Sequence, residues 1–327
     1  MLTPKENALR MIYNENPEYI PASIECLRMV AMPVIEQIES PMSKAGYDPF
    51  GVYWNINKSG TIPDSTHFLL EDVCDWESVV KIPDISHIDF RAMAEMEANI
   101  MPIDRNQVLT QVFHLGGIWD RFVAFMGHEN ALISLIEEPE ACMNLFEALT
   151  EYRLKCAEKL IDAYNPDILI ETCDCATARC LLMSPETWRT MIKPFEKRLA
   201  DYVNSRGVIF QIHCCGKAQD IVQDFVDIGT RMWHSSQPEN DLVEMERKYR
   251  GVMCFEGGWD SLGKPGTIDA TEEDIRQEVR RCIDTYGREG NYIMQAALLN
   301  ENGNALITGQ DDRLPALIDE YMKCRAL

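Results

Sequence analysis

Short apolar runs alternate with amphipathic stretches along most of this chain, and that alternation sets the expected architecture. Runs at 20–25, 108–113, 167–171, 208–213, 231–234, 252–256 and 292–295 have the length and apolar content of buried strands. Between them lie helical patterns. From 140 to 164, Cys142, Leu145, Phe146, Leu149, Cys156 and Leu160 fall on one stripe at the spacing of a helix packed on one side. Ser184-Pro185 offers a hydroxyl N-cap followed by proline at the first helical position, and that helix is expected to run to Arg206 and stop at Gly207. Thr271-Glu-Glu-Asp places acid in the first turn of another.

Strands alternating with helices predict a parallel α/β sheet. With 327 residues and no low-complexity linker or short repeat, the expectation is one domain over 1–327, a single (β/α)8 TIM barrel. It would carry an N-terminal extension and an irregular insertion near residues 40–80, where Tyr47-Asp-Pro-Phe-Gly-Val-Tyr-Trp54 suggests a hairpin or lid. An open doubly wound sheet is the alternative, but no Gly-x-Gly-x-x-Gly follows any of the strands.

Composition narrows the company this chain keeps. Lys and Arg total 31 against 53 Asp and Glu, a formal net charge of −22, which disfavours nucleic acid and anionic membranes as partners. No apolar run is long enough to cross a bilayer, and the first ten residues lack the apolar core of a signal peptide. The 12 cysteines are therefore expected to be reduced thiols in a cytoplasmic protein.

Candidate chemistry gathers where the strands end. Val208-Ile-Phe-Gln-Ile212 delivers His213 and Cys215 before a turn at Gly216. Side chains two apart share a strand face, so an imidazole and a thiolate converge there as ligands of zinc or a similar cation. A buried cysteine pair beside a core histidine fits the same pattern. Other strands end in Glu25-Cys26 with Arg28 close behind, His114-Leu-Gly-Gly117, Glu171-Thr-Cys-Asp-Cys175, His234-Ser-Ser-Gln237, Glu256-Gly-Gly-Trp-Asp260 and Gln295. Cys173 and Cys175 suit packing better than ligation, and His234 suits a hydrogen-bonded core histidine. Asp174 is harder to place structurally, because an acid at the top of a barrel strand is costly unless partnered or functional.

These segments carry a resemblance. Cys173-Asp-Cys-Ala-Thr-Ala-Arg-Cys-Leu-Leu-Met-Ser-Pro-Glu-Thr-Trp188, then Lys193-Pro194, then His213-Cys-Cys-Gly216, resembles the central signature of the uroporphyrinogen decarboxylase superfamily. Asp48-Pro-Phe-Gly-Val-Tyr-Trp54, Asp75-Trp-Glu77 and Gly127-His-Glu-Asn130 fit it in order, so the likeness spans nearly the whole chain. It implies a (β/α)8 barrel and one of two activities: decarboxylation of a porphyrinogen, or zinc-dependent methyl transfer with a corrinoid protein. The decarboxylases carry an Arg-Gln-Ala-Gly-Arg motif, whereas this chain has Glu25-Cys-Leu-Arg-Met-Val-Ala-Met32. The chain is thus closer to the corrinoid-dependent methyltransferase and O-demethylase branch.

That branch implies a zinc ion, expected on His213 and Cys215, and the strand-end positions make Asp174 and Glu171 the expected catalytic residues. Arg28, His114, Gln237, Glu256 and Gln295 would bind substrate. The partners implied are a corrinoid protein carrying methylcobalamin and a small methyl ether, thiol or methylamine. A porphyrinogen lyase is the alternative. Coenzyme M methyltransferases, similar in this respect to cobalamin-independent methionine synthases, take a third zinc ligand from a cysteine near the last barrel strand. Here 291–298 contains none, so Glu171 is the first expectation, ahead of Cys173, Glu256 or Gln295.

Overall fold

In the computed structural model, which describes residues 2–42, 44–57, 60–298 and 311–327, the apolar runs become strands of a curled parallel sheet. Ten strands form among the described residues: β1 (Leu27–Val30), β2 (Gly46–Tyr47), β3 (Tyr53–Asn57), β4 (Gly60–Pro63), β5 (Leu109–His114), β6 (Ile168–Thr172), β7 (Ile209–His213), β8 (Met232–Ser236), β9 (Cys254–Gly258) and β10 (Tyr292–Gln295). Seven of them make the parallel sheet, in the order β1-β5-β6-β7-β8-β9-β10, with helices outside. Sequence order is kept across the sheet, as in a TIM barrel.

The expected first strand at 20–25 is displaced. Only Pro21 and Ala22 reach β10, through an Ala22–Met294 bridge and a 3.0 Å bond from the Met294 amide to the Pro21 carbonyl. The chain then makes a helical turn at Ser23–Cys26 before β1 pairs with β5. The seam between the two edge strands is thus bridged by this short segment, and the sheet holds seven strands among the described residues, curled as in a TIM-like barrel.

The barrel interior is apolar at its N-terminal end. Leu27, Leu109, Ile168, Ile170, Ile209, Met232, Cys254 and Ile293 pack there against Ala8, Met11 and Ile12 of the helix Pro4–Tyr13. That helix starts well because Thr3 and Glu6 cap each other across its first turn, with Pro4 at its first position. It plugs the barrel floor and leaves the C-terminal end as the open one.

The helix Pro139–Tyr164 buries all six stripe residues named above. The helix expected from 185 to 206 is instead two, Pro185–Met191 and Lys193–Ser205. Pro194 explains the break, since it has no amide hydrogen for the preceding turn and its ring crowds that turn's carbonyl. The insertion near 40–80 is a small antiparallel sheet, β2-β3-β4, followed by a short helix Trp76–Val79. Asp48 ties it down by accepting from the Phe50 and Val52 amides (2.9 Å each), Trp54 Nε1 (2.9 Å) and Arg121 Nη1 (2.5 Å). No helix among the described residues is long and apolar enough to cross a membrane.

Candidate metal centre

At the C-terminal end of the sheet, β7 and the loop after β6 bring three donor groups together. His213 ends β7 facing inward, as alternation from Ile209 and Gln211 requires. Cys215 follows two residues later, its Sγ 3.3 Å from His213 Nε2. Asp174 reaches in from the neighbouring loop, with Oδ1 3.6 Å from the same nitrogen and accepting from the Cys215 amide at 2.9 Å. The three donor atoms lie within 4.8 Å of one another.

These separations suit a zinc ion. Nitrogen and sulfur ligands at about 2.1 and 2.3 Å in tetrahedral array stand roughly 3.6 Å apart. The set is mixed in hardness, with imidazole, thiolate and carboxylate, which zinc accepts. It is also reachable: the Asp174 side chain is 46% exposed and that of His213 13%.

The surroundings hold the donors in place. The Asp174 amide donates to Asp120 Oδ1 (2.9 Å), and Asp120 sits in the first turn of the helix Ile118–Glu137. The Gly216 amide donates to Gln237 Oε1 (2.7 Å), and Asn240 Nδ2 donates to the Gly216 carbonyl (2.9 Å). Gly216 has φ +82°, and a β-carbon there would stand 2.5 Å from the Thr177 carbonyl oxygen, so glycine is required. His234, opposite His213 on β8, places its Nδ1 2.6 Å from His213 Nδ1.

Burial dominates the electrostatics of this end. It pushes the Cys215 thiol well above its ordinary range, with the Asp174 charge adding to the effect. Burial, then Asp174, raises Asp120 to about 7. Burial, then His213, pushes His234 well below the usual imidazole range, so it is neutral. A divalent cation would invert the balance at Cys215 by favouring thiolate.

Glu171 lies elsewhere, which corrects its expected position as third ligand. Ile168 and Ile170 face the barrel interior, so alternation sends Glu171 outward to the helices. There the Arg153 guanidinium grips it with two 2.6 Å bonds. Burial alone would raise the Glu171 carboxyl, but Arg153 and then His114 outweigh it and hold the group below its ordinary value. The carboxylate that meets His213 and Cys215 is Asp174 instead.

His114 also points outward. Its ring nitrogens stand 3.0 Å from Glu171 and 3.5 Å from Glu39, fully buried outside the barrel interior. Arg28 is exposed on the strand face opposite Leu27, with its guanidinium on the Ile24 and Leu27 carbonyls, so it does not line the barrel. Cys173 is buried against Trp188, whose Nε1 donates to its sulfur at 3.5 Å.

Glu256 and Gln295 stay on the barrel side. Glu256 is buried at the level of His234, accepting from Ser23 Oγ (2.7 Å) and Gln211 Nε2 (2.6 Å). Its carboxyl is raised by burial, partly offset by Ser23, Gln211 and Gln111. Gln295 is half-buried at the end of β10. Sequence reasoning missed Asp120 and Glu39. An acid three residues after the Gly116-Gly117 strand end was the available signal for Asp120; nothing local marked Glu39.

Residues 47–297 match the family model described as Uroporphyrinogen decarboxylase (URO-D). No curated protein matches the chain. Among solved structures, a methyltransferase from Methanosarcina mazei aligns over 99% of this chain and 99% of that one, with TM-score 0.64 and 15% identity, a likeness of fold. A D-psicose 3-epimerase solved with D-fructose overlaps loosely, at TM-score 0.35 and 10% identity over 74% of this chain and 78% of that one. With the model spanning most of the sequence and the parallel barrel in place, the chain belongs to the uroporphyrinogen decarboxylase family.

Proposed function

We propose that this protein is a zinc-dependent methyltransferase that moves a methyl group between a small methyl ether, thiol or methylamine and a corrinoid carried by a partner protein. The observation that carries the reading is the Asp174–His213–Cys215 triad at the open end of the barrel. Its fold likeness to a methyltransferase supports the same direction.

Asp174, His213 and Cys215 would hold the ion, and three protein donors leave a four-coordinate zinc one position for substrate. When bound, zinc supplies a Lewis acid that stabilises negative charge on the sulfur or oxygen that gains or loses the methyl group. Asp120 fixes the Asp174 backbone, and Gln237 with Asn240 fixes the turn after Cys215. A carboxylate in place of a second thiolate makes the site less electron-rich, which favours oxygen leaving groups and hence methyl ethers over thiols.

The acid at this end weighs against a porphyrinogen with many carboxylates. Asp120, Asp174 and Glu256 have no Lys or Arg ion pair among the described residues, and Arg28 faces away. Such a substrate would meet repulsion where it needs cations. Metal analysis tests the proposal: the purified protein should hold one zinc, and Cys215→Ser should lose most of it and most methylcobalamin demethylation while keeping the wild-type unfolding temperature. Stoichiometric metal absent from the wild type, or full turnover in Cys215→Ser, would overturn it.

A further inference from the structure

His213 can serve a metal only through Nε2, because its Nδ1 is 2.6 Å from Nδ1 of His234. Two neutral imidazoles carry one N–H each, so that contact has one donor and one acceptor. If His234 donated, the hydrogen on His213 would sit on Nε2, pointing at Cys215 Sγ and Asp174 Oδ1, and no lone pair would be left for an ion. If His234 accepts, His213 carries its hydrogen on Nδ1 and frees Nε2 toward both other donors. The geometry points to His234 as the positioning residue of the metal centre, the acceptor that fixes His213 in its ligating tautomer. This rests on the metal reading given under Proposed function.

The arrangement is built to be rigid. His213 and His234 are register partners on β7 and β8, their ring centroids 4.8 Å apart. Phe113 on β5 packs against both, 5.3 Å from one ring and 6.0 Å from the other. Backbone bonds continue past the strand end, with the Cys214 amide donating to the His234 carbonyl at 2.7 Å. A ligand imidazole more often leans on a carboxylate or carbonyl. A neutral imidazole as acceptor withdraws less of the proton, which keeps His213 a weaker donor and the ion a stronger Lewis acid.

Two substitutions separate this role from space filling. His234→Asn keeps an acceptor oxygen near the Nδ1 position, whereas His234→Phe keeps the ring and removes the acceptor. A space-filling role predicts that Phe is the better replacement; the acceptor role predicts Asn. Zinc affinity, measured against a chromophoric chelator, should fall roughly 10–100-fold in His234→Phe and much less in His234→Asn. The visible bands of the cobalt-substituted protein should shift in His234→Phe and return in His234→Asn. If His234→Phe fails to fold, His234→Leu gives the same contrast. Wild-type affinity and spectrum in the acceptor-free variant would overturn this inference alone; no metal binding by the wild type would overturn it together with the metal reading.

Discussion

Glu171 and Asp174 stand three residues apart, yet the structure gives them opposite duties, and substitution of each should separate stability from metal binding. Glu171 lies in a buried network: Arg153 Nε and Nη2 each reach it at 2.6 Å, while Arg153 Nη1 also donates to the Leu115 carbonyl at 2.8 Å. Glu171→Gln keeps the shape and leaves the guanidinium without its main counter-charge. Removing one partner of a buried ion pair costs about 3–5 kcal/mol. At about 2.1 cal/mol/K per residue, a chain of 327 residues has an unfolding entropy near 0.7 kcal/mol/K, so the melting temperature should fall by about 4–7 °C. Asp174, with a side chain 46% exposed, is held in no such network. Asp174→Asn should leave the melting temperature within about 1 °C, since surface changes stay within about 0.5 kcal/mol. Its zinc affinity should drop by at least an order of magnitude, while Glu171→Gln retains stoichiometric zinc once folded. Scanning calorimetry and chelator competition on both variants check this. Loss of zinc without loss of stability in Glu171→Gln would mean that Glu171 is the ligand and that its outward placement is wrong.

Glu246, buried on the helix Leu242–Lys248, has its pKa raised by burial and then by Glu289 to about 9. It stays protonated in the fold while the unfolded chain ionises near 4.5, so stability falls as pH rises between those values, by up to about 1.4 kcal/mol per unit. Glu246→Gln should therefore gain in melting temperature over the wild type at pH 8 and gain little at pH 4; an equal difference at both would refute the assignment. Gly216→Ala should weaken zinc binding, because its φ of +82° is strained for alanine and the new methyl meets the Thr177 carbonyl, displacing the turn that holds Cys215. Chelator competition on the folded variant measures this, and unchanged affinity would count against the turn as a support of the site.

Periodicity made the barrel legible. Six of the strands lie within two residues of their apolar runs at each end, since a strand buried on both faces must be apolar throughout. The first strand was displaced because Ser23–Cys26 makes a helical turn whose Glu25 is held by Tyr321 and Arg325, some 300 residues away, a constraint no local pattern carries. His213 and Cys215 were legible as a pair because both lie at one strand end. The third donor was not, because choosing between Glu171 and Asp174 depends on which parity of β6 faces inward. Ile168 and Ile170 settle that parity, yet in a doubly buried strand both faces are apolar, and Leu169 looks the same as its neighbours.

Donor identity alone would name a second centre, since Glu39, His114 and Cys156 also bring acid, imidazole and thiol within 4.8 Å. Its setting argues otherwise. All three are buried, and Glu39 already faces two guanidinium groups, Arg121 at 3.1 Å and Arg153 at 3.2 Å. A divalent ion there would have to displace or repel two fixed positive charges in a poorly screened interior, where like charges a few ångströms apart cost several kcal/mol. Burial nevertheless raises the Glu39 carboxyl more than those arginines and His114 lower it. The cluster therefore fastens the helix Pro139–Tyr164 to the ends of β5 and β6 and, through Arg121 and Asp48, to the inserted sheet. The Asp174 triad has no Lys or Arg ion pair among the described residues and opens to solvent. The same three kinds of side chain thus make a structural clamp where guanidinium groups supply the positive charge and, in the proposed reading, a metal site where no Lys or Arg ion pair does so among the described residues.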